Sequence, residues 1–461
     1  MKYFLTLIQL WVGFLSICAS YPKANIWIIP SVESPQVYRN YAQTSKVHLE
    51  MARGEVEHIQ LVFPSKVNEE YRFTFDRNLK GIQISARELK KMNGYYDALV
   101  PFKNQLKCTD TLTAVWITVQ CPSRVPVGKY HQTIKIEGSK HFTIQLDYNV
   151  HHTTIPLKSS IPITVGVENR CMTECLNDKE ADKERQRWVD FVLSYRMTPV
   201  FGTQITPERW QYEHSFSPWA WNDKRSIRLL NDRRYSCYML PFFTLSENEL
   251  ASLLCNIQKK GKLKESLFYI WDEPAYMEDY EQIKRKVNII RKYASDARIL
   301  TTFFCGPRNG PRKGDLYAVF DYLKHHIHVA TISLAPCKGN EEEVQHIRYK
   351  VPEGIDWWSY VCWQPGGNEP NFLLQMKGIQ QRAIMWRTWK NGSQGFLYWN
   401  CNIYHKRNPF TYITDMPHGD GILIYPGDIL GCKGPIASAR LERWRDGAEE
   451  MELLRLVEKN Y

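Results

Sequence analysis

Long hydrophobic runs are almost absent from this 461-residue sequence, and the only one long enough for a membrane segment lies in the first 20 residues. There, Lys2 precedes the apolar residues 4–17, and two small residues follow. This order is typical of a cleaved secretory signal peptide rather than an integral membrane span. We therefore expect a secreted or periplasmic protein. A lipid anchor on Cys18 is the alternative, although bulky Ile17 stands where such sites want a small residue.

Paired cysteine spacings and long runs of one charge are also missing. No CxxC pair occurs among the 12 Cys, so a zinc cluster is not expected. Export would permit disulfides, and Cys108 with Cys121 is the first candidate pair. The 60 Lys and Arg exceed the 49 Asp and Glu and give a formal net charge of +11, but they are spread through the chain. We therefore expect a solvated basic surface and no nucleic-acid partner.

Two catalytic signatures are absent as well. No GxSxG motif occurs, which argues against an ordinary serine hydrolase, and no glycine-rich phosphate loop follows the first apolar run of the second domain. The histidine groups at 151–152 and 325–328 have no carboxylate at ligand spacing, so neither a metal nor a cofactor is expected. The sequence is instead rich in aromatic residues, with 15 Trp, 26 Tyr and 19 Phe, which indicates a globular protein.

The N-terminal part has the alternating pattern of β-strands. Residues 57–63 alternate, as do residues 133–137 and 142–146, and a Gly-Ser pair between the last two predicts a hairpin. Because few helical patterns interrupt this part, we expect an antiparallel β-sandwich. The polar segment 151–160 is the predicted linker. The predicted division is a signal peptide over 1–20, a sandwich over 21–155 and a second domain over 156–461.

The second domain has short, continuous apolar runs separated by helical patterns. Continuous hydrophobicity is typical of parallel strands that are buried on both faces. The eight runs are 161–167, 198–201, 237–243, 267–271, 299–304, 329–334, 357–363 and 395–399. Helices are predicted at 179–195, 247–260, 280–293, 372–390 and 435–457, where apolar residues recur at three- and four-residue spacing. Eight such units favour a (β/α)8 TIM barrel of the α/β class, and an open doubly wound sheet is the alternative.

The fourth apolar run ends in two adjacent carboxylates. Residues 267–271 lead directly into Asp272 and Glu273, and Pro274 then ends the strand because it has no N–H to donate. Active sites of such barrels lie at the C-terminal ends of the strands, so this pair is the candidate catalytic site. The structural alternative is that Asp272 caps the next helix while Glu273 pairs with an arginine.

The adjacency of the two acids suggests a division of roles. Neighbours on a strand face opposite ways unless the chain twists, so their proton affinities should differ. Glycoside hydrolysis needs such a division, with one carboxyl group to protonate the leaving oxygen and another group to support the oxocarbenium-like centre. An adjacent pair suits substrate assistance, in which the 2-acetamido group of the sugar attacks the anomeric carbon. Asp272 would then orient that group, and Glu273 would be the general acid and base.

Several motifs occur together in one order. They are VPVGKY at 125–130, which is expected to form a hairpin, YIWDEP at 269–274, GFLYWN at 395–400, GDG at 419–421 and RLERWRDG at 440–447. In this order the chain resembles glycoside hydrolase family 123, exo-acting β-N-acetylgalactosaminidases with an N-terminal β-sandwich and a (β/α)8 catalytic domain. The resemblance covers nearly the whole mature chain. It implies that Asp272 positions the acetamido group and that Glu273 donates and later removes the proton.

Aromatic and amide side chains crowd two other strand ends. Tyr360 and Trp363 belong to the seventh run, and Trp399 and Asn400 close the eighth. Sugar rings have apolar faces and hydroxyl rims, so we expect these residues to bind substrate, with the two tryptophans as walls. Packing in the barrel interior is the alternative for each ring. Glu168 ends the first run, where it could bind a hydroxyl group or cap a helix.

The sequence therefore predicts an exported glycosidase that releases terminal β-linked N-acetylgalactosamine from oligosaccharides or glycolipids, with retention and without a cofactor. One alternative is a glycosidase of another sugar specificity that uses Glu273 with an acid from a different strand. Another alternative is a carbohydrate-binding protein whose barrel has lost catalysis. Hydrolysis of sugars without a 2-acetamido group would favour the first alternative, and glycan binding without turnover the second.

Overall fold

The computed structural model describes residues 26–76, 79–206, 211–334, 351–409 and 419–460. The predicted signal peptide over residues 1–20 lies outside these ranges. Within them, no helix is long and apolar enough to cross a membrane.

The N-terminal part consists of two five-stranded sheets. Its strands are β1 (Trp27–Pro30), β2 (Lys46–Arg53), β3 (Val56–Pro64), β4 (Glu70–Phe75), β5 (Gln83–Met92), β6 (Tyr95–Pro101), β7 (Gln105–Lys107), β8 (Leu112–Gln120), β9 (Gly128–Glu137) and β10 (His141–Thr154). The sheet orders are β1-β3-β8-β5-β6 and β2-β10-β9-β4-β7. One apolar core holds side chains from both sheets. The predicted sandwich is confirmed, and its strand pairs are antiparallel except β2 with β10.

The hairpin between β9 and β10 shows why these residues form a sandwich. Glu137 lies opposite His141 in an antiparallel pair. Along β9, buried Ile134 and Ile136 alternate with residues that reach solvent. Since successive strand residues face opposite sides, this period of two places one face in the core.

The linker is shorter than predicted. β10 continues to Thr154, which pairs with Arg53, so His151 and His152 belong to a strand and the connection begins at Ile155. The exposed end of β10 has no core face, and the apolar alternation that would reveal it in the sequence is therefore missing.

The 125–130 motif is not a hairpin. It joins β8 to β9, which belong to different sheets, so this segment crosses from one sheet to the other. The Tyr130 hydroxyl donates a hydrogen bond to the Pro126 carbonyl at 2.6 Å and fixes the crossing.

Cys108 and Cys121 are free thiols and do not form the predicted disulfide. The Cys108 thiol lies beside Thr113, near the start of β8, whereas Cys121 directly follows the end of that strand. The extended chain between these points spans roughly 25–30 Å, but a disulfide needs Cα atoms within about 7 Å.

The second domain contains a nine-stranded sheet. Its strands are β11 (Ile163–Glu168), β12 (Thr198–Thr206), β13 (Gln211–Ser215), β14 (Tyr238–Met239), β15 (Ser266–Trp271), β16 (Arg298–Phe303), β17 (Val329–Ser333), β18 (Asp356–Val361) and β19 (Phe396–Tyr398). The order is β13-β12-β11-β19-β18-β17-β16-β15-β14, and all pairs except β12 with β13 are parallel. Each predicted apolar run overlaps one of the eight parallel strands.

The sheet curls into a barrel, and the unpredicted strand β13 fills the gap between its edges. The Phe216 N–H donates to the Met239 carbonyl of β14 at 2.7 Å, and the Thr198 and Ser236 hydroxyls lie 2.8 Å apart. One interior cluster brings Val200 of β12 together with Met239 and with apolar residues of β15 to β19. An open doubly wound sheet has no such interior, so the barrel-like architecture is confirmed.

Helices follow most of the parallel strands. They are α1 (Asn169–Thr173), α2 (Asp178–Ser194), α3 (Lys224–Leu229), α4 (Glu247–Lys259), α5 (Met277–Arg291), α6 (Ala318–Leu323), α7 (Gly378–Arg382), α8 (Ile384–Lys390) and α9 (Ala439–Asn460). The predictions for α2, α4 and α5 agree to within three residues. The predicted helix 372–390 is instead two short helices that meet at Ala383, and residues 435–437 form strand β21 (Pro435–Ala437) against β20 (Ile424–Pro426) before α9 begins.

Helix α9 lies between the barrel and the sandwich. Its predicted apolar stripe is buried through Met451, and Val457 is exposed. The charged residues between the stripe positions are buried too. Arg443 Nε, for example, donates to the Ser31 carbonyl of the sandwich at 2.8 Å. The helix is therefore enclosed on both its apolar and its charged sides.

Candidate active site

Strand β15 ends at the two acids because its backbone changes direction there. Every residue of Ser266–Trp271 is buried, and the pairing with β16 shifts register between Tyr269 and Trp271. Glu273 then takes a left-handed conformation with φ of 44°. This turn removes the strict up-and-down alternation of a strand, so both carboxylates reach the mouth of the barrel, where they are accessible to solvent but surrounded by protein atoms that partly desolvate them.

Asp272 is held by two hydroxyl groups. Tyr269 and Thr302 both donate to its Oδ1, at 2.6 and 2.8 Å, and the Glu273 backbone N–H donates to Thr302 Oγ1 at 3.0 Å. Burial raises the pKa of Asp272, while the two hydrogen bonds lower it because they favour the anion. Asp272 Oδ2 has no hydrogen-bond partner among the residues that the structure describes.

Glu273 has a different partner. The Tyr360 hydroxyl, from β18, donates to Glu273 Oε1. Burial and the negative charge of Asp272 raise the pKa of Glu273 to about 7, against the opposing effects of Tyr360 and the Arg308 cation. A carboxyl group with such a pKa can give and take a proton near neutral pH.

Strand β13, which was not predicted, supplies two rings beside the acid pair, those of Tyr212 and His214. His214 of β13 stacks on Tyr269 with ring centroids 4.2 Å apart and an interplanar angle of 10°. Burial lowers the pKa of His214 to about 3, so its imidazole is neutral. Burial also raises the pKa of Tyr212 to about 12, with further contributions from the charges of Glu168 and Asp272, both of which lie near this hydroxyl.

Glu168 has the predicted role of a helix cap, and its binding of a substrate hydroxyl stays a prediction. It is the N-cap of α1, where its carboxylate accepts from the Arg170 N–H at 3.3 Å, so the cap is present. The residue is also buried at the barrel mouth, and burial raises its pKa to about 7. Its backbone is tied to the eighth strand end because its N–H donates to Asn402 Oδ1 at 2.8 Å.

The eighth strand end is organised by Asp420. Trp399 Nε1 and the Tyr398 hydroxyl donate to Asp420 Oδ1 at 3.0 and 3.1 Å, which fixes the indole of the predicted substrate wall. Asn400 is buried, and its Oδ1 accepts from the Asn402 N–H at 3.0 Å. That contact gives Asn400 a role in shaping the strand end, and direct substrate contact stays a prediction.

The seventh strand end presents both a buried and an exposed ring. Tyr360 is buried and reaches Glu273 directly, as described above. Trp363 lies two residues beyond β18 and is 42% exposed, with its ring 6.5 Å from that of Phe304 at an interplanar angle of 23°. An exposed indole beside the mouth fits a sugar-binding surface better than barrel packing.

Comparison with known proteins identifies the family. A sequence model of the glycoside hydrolase 123 catalytic domain matches residues 183–457. The chain belongs to glycoside hydrolase family 123. The resemblance predicted from its motifs is therefore confirmed for the family, and with it the glycosidase class.

A solved structure of a family 123 enzyme has a similar fold. A family 123 glycoside hydrolase from Clostridium perfringens, whose structural analysis addressed glycolipid glycan hydrolysis, has a TM-score of 0.68 at 15% identity, over 94% of this chain and 89% of that chain. Two further structures are too distant for inference. A Bacteroides ovatus GH5 xyloglucanase has a TM-score of 0.29 at 10% identity, over 88% of this chain and 98% of that chain. An Eisenbergiella tayi GH2 β-galacturonidase has a TM-score of 0.36 at 9% identity, over 95% of this chain and 95% of that chain. No curated protein matches.

Sequence reasoning missed several residues of this family 123 site. Thr302 lies within the run 299–304, where it and Thr301 are small residues between larger apolar ones, and Tyr212 and His214 lie on a short polar strand without an apolar signal. Asp420 had the signal of a glycine on each side, a pattern that allows a tight turn. The structure describes no group of three His, Cys, Asp or Glu side chains that could hold a metal ion.

Proposed function

We propose that this family 123 glycoside hydrolase removes terminal β-linked N-acetylgalactosamine with retention, using the 2-acetamido group of the sugar as the nucleophile. The supporting observation is the separate anchoring of two adjacent acids, Asp272 by Tyr269 and Thr302, and Glu273 by Tyr360. Both carboxylates start from one strand end. Two acids on one strand end are not placed to flank the anomeric carbon from opposite faces, as a conventional retaining pair does, and this arrangement favours a nucleophile that the substrate supplies.

Asp272 is suited to orient the acetamido group. Its Oδ1 is occupied by two hydroxyl donors, so Oδ2 is the oxygen left to accept the acetamido N–H. That hydrogen bond would make the carbonyl oxygen more nucleophilic and would stabilise the positive charge of the bicyclic intermediate. Binding energy from the acetamido group is then used in the transition state, with the nucleophile already in attack geometry.

Glu273 is suited to exchange protons with the leaving group and with water. With a pKa of about 7, a large fraction of it is protonated at neutral pH and can protonate the departing oxygen. The resulting carboxylate takes a proton from the water that opens the bicyclic intermediate. The rings of Trp363 and Trp399 are suited to the apolar face of the sugar.

The glycan of a glycolipid is one proposed substrate, and an oligosaccharide is the other. The Clostridium perfringens relative was analysed for glycolipid glycan hydrolysis, and exo action on a terminal residue follows from the family resemblance. A screen of nitrophenyl glycosides tests the sugar specificity. The proposal predicts hydrolysis of the β-N-acetylgalactosaminide in preference to its gluco epimer, and no hydrolysis of the plain β-galactoside.

Two substitutions test the division of roles. Glu273→Gln should lower kcat/KM on natural glycosides by about 10²–10⁴-fold, but much less on dinitrophenyl glycosides, whose leaving group needs no proton. Asp272→Asn should impair both substrates because the acetamido group loses its orienting anion. Glu281→Gln, on the exposed face of α5, is the matched control. Equal, small losses from the two active-site changes would contradict the proposal.

A glycosidase of another specificity is the second candidate, and Glu168 favours it. This buried carboxyl at the mouth, on a different strand from Glu273, has a pKa of about 7 and could serve as the second acid. Hydrolysis of sugars without a 2-acetamido group would support this candidate, as would insensitivity to a thiazoline mimic of the bicyclic intermediate. Glycan binding without any turnover would instead indicate a carbohydrate-binding protein.

Export of the chain is also proposed, from the pattern of residues 1–20. N-terminal sequencing of the mature protein from its native host should start after residue 20. A lipid on Cys18 would be found as a mass increase on the N-terminal peptide.

A further inference from the structure

The loop between β16 and α6 holds an arginine beside the acid pair that the proposed mechanism does not use. The Arg308 N–H donates to the Ala275 carbonyl at 2.6 Å, and the Met277 N–H donates to Asn309 Oδ1 at 2.8 Å. Both contacts fasten the loop to the segment that directly follows Glu273. Gly306 keeps the loop tightly folded, because a β-carbon there would lie 2.4 Å from the Asp315 backbone.

Arg308 carries an unneutralised charge. Its side chain is exposed and forms no ion pair with any residue in the described part of the chain. Interactions with Tyr276 and Cys305 raise its pKa, so it remains a cation. Arg312 of the same loop is different, because Asp315 and Asp321 both pair with it.

The position of Arg308 places it on the leaving-group side of the mouth. Asp272 accepts from Tyr269, whose ring stacks on His214 of β13, so this carboxylate lies toward the β13 side of the mouth. Glu273 interacts instead with Tyr360, and the Arg308 backbone N–H is bonded to the carbonyl of Ala275, only two residues after Glu273. This anchors Arg308 beside Glu273, and its charge lowers the pKa of that carboxyl group. If Glu273 is the general acid, the sugar that departs lies beside it.

Exposed aromatic rings border the same side. Tyr276, three residues after Glu273, is 46% exposed, and Trp363, three residues after Tyr360, is 42% exposed. Such rings offer apolar surface to a second sugar, while a guanidinium offers a planar fork that fits a carboxylate or a sulfate.

We propose that Arg308 forms a leaving-group subsite for an acidic sugar, so that the preferred substrates carry N-acetylgalactosamine linked to a residue with a carboxylate or sulfate group. This inference rests on the proposed function, since it takes Glu273 as the general acid. The anion would pair with a cation that forms no ion pair in the described part of the chain, and the net positive charge of the chain would favour its approach.

Matched disaccharides test the proposal. N-acetylgalactosamine β-linked to glucuronic acid differs from the same sugar β-linked to glucose only at the carboxylate, and a galactose 6-sulfate and galactose pair provides the sulfate arm. The wild-type protein should have a kcat/KM at least about tenfold higher for one acidic substrate than for its neutral match, and the ratio should fall with added salt. The arm that shows the preference identifies the anion.

Variants of the loop locate the preference. Arg308→Gln should bring the ratio of kcat/KM for the acidic and the neutral substrate close to one, even if it changes both values. Arg308→Lys should restore part of the preference. Arg312→Gln, at the paired arginine, should keep the wild-type ratio. If the wild type hydrolyses nitrophenyl β-N-acetylgalactosaminide but shows acidic-to-neutral ratios of kcat/KM near one, this inference alone would be overturned. Failure to hydrolyse any of these substrates would overturn the proposed function and the inference with it.

Discussion

Glu273 has a backbone conformation that costs a residue with a β-carbon roughly 1–2 kcal/mol. A glycine would relieve this strain but would remove the carboxyl group that Tyr360 holds. Strained residues of this kind cluster at active sites, where the surrounding structure maintains them. The left-handed turn therefore supports a functional role for Glu273 rather than a purely structural one.

Tyr360→Phe tests how this carboxyl group is tuned. The Tyr360 hydroxyl donates to Glu273 and favours its anion, so its removal should raise the pKa of Glu273 above about 7. Because Glu273 must be protonated to act as an acid, the alkaline limb of kcat/KM against pH should move to higher pH. The acidic limb, set by ionisation of Asp272, should stay in place. The measurement is a pH profile with nitrophenyl β-N-acetylgalactosaminide.

Tyr148→Phe is the matched control for this change. Its hydroxyl is buried in the sandwich and has no hydrogen-bond partner among the residues that the structure describes, so the variant should keep the wild-type pH profile. An alkaline limb that stays in place, or moves to lower pH, in Tyr360→Phe would contradict the assignment of that limb to Glu273.

At the level of single residues, sequence could predict the acid pair but not its surroundings. Asp272 and Glu273 stand out because they interrupt a strand that is otherwise buried. Thr302 and Tyr360 contact them only after distant strands have been brought side by side, and no local pattern records this contact.

Strands β11 and β19 meet at a glycine, and this contact sets the eighth strand end. A β-carbon on Gly166 would lie 1.9 Å from the Trp399 carbonyl oxygen, and the Cys401 N–H donates to the Gly166 carbonyl at 2.9 Å. Only a residue without a side chain allows the backbone of Trp399 to approach this closely.

Gly166→Ala should therefore destabilise the barrel. The new methyl group meets backbone rather than a flexible side chain, so we expect the free energy of unfolding to fall by about 3 kcal/mol or more, with lower activity as Trp399 moves. Chemical denaturation measures the change. Gly366→Ala, where an added β-carbon meets nothing within 4 Å, should change stability little. Equal stability of the two variants would contradict this account of the strand contact.

At the level of elements, the hydrophobicity of the sequence predicted those strands and helices in which buried positions recur regularly or form a continuous run. The eight parallel strands are buried on both faces and give continuous apolar runs. β13 is short and polar at Tyr212, Glu213 and His214, so its position follows from pairing with β12 and could not be read from hydrophobicity. The start of α9 was placed too early because Pro435–Ala437 pairs with β20 instead.

The sandwich and the barrel are joined by charged groups buried against helix α9. Glu442 of this helix accepts from Arg87 of β5 at 2.5 Å and from the Tyr195 hydroxyl at 2.6 Å, and it also pairs with Arg445. His58 of β3 lies 3.1 Å from the same carboxylate. The Arg445 and Arg87 cations, together with the His58 imidazole, hold the pKa of Glu442 well below its ordinary value against the effect of burial.

Glu442→Gln should lower the free energy of unfolding of the whole chain by about 3–5 kcal/mol, because the removed charge leaves buried cations without their partner. The direction in which this stabilisation changes with pH follows from the lowered pKa of Glu442. The contribution of Glu442 is present above the ordinary glutamate range and is lost as pH falls through its folded pKa, so wild type and variant should converge in acid. Glu458→Gln, at the exposed end of α9, is the control. Independent unfolding of the sandwich, unaffected by Glu442→Gln, would contradict this coupling.

For the molecule as a whole, the sequence indicated two domains but not how they are joined. The charged face of α9 has the spacing of a solvated helix surface, and its burial depends on the sandwich strands that come to cover it.

The central claim is that the acetamido oxygen of the substrate is the nucleophile at a site built on Asp272 and Glu273. The most direct measurement is kcat/KM for a series of nitrophenyl glycosides in which the acetamido methyl group carries zero to three fluorine atoms. Fluorine withdraws electrons from the carbonyl oxygen, so the account predicts a steep fall across the series, by about 10²-fold or more, as an oriented internal nucleophile is weakened. A rate that does not depend on fluorine content would contradict the account.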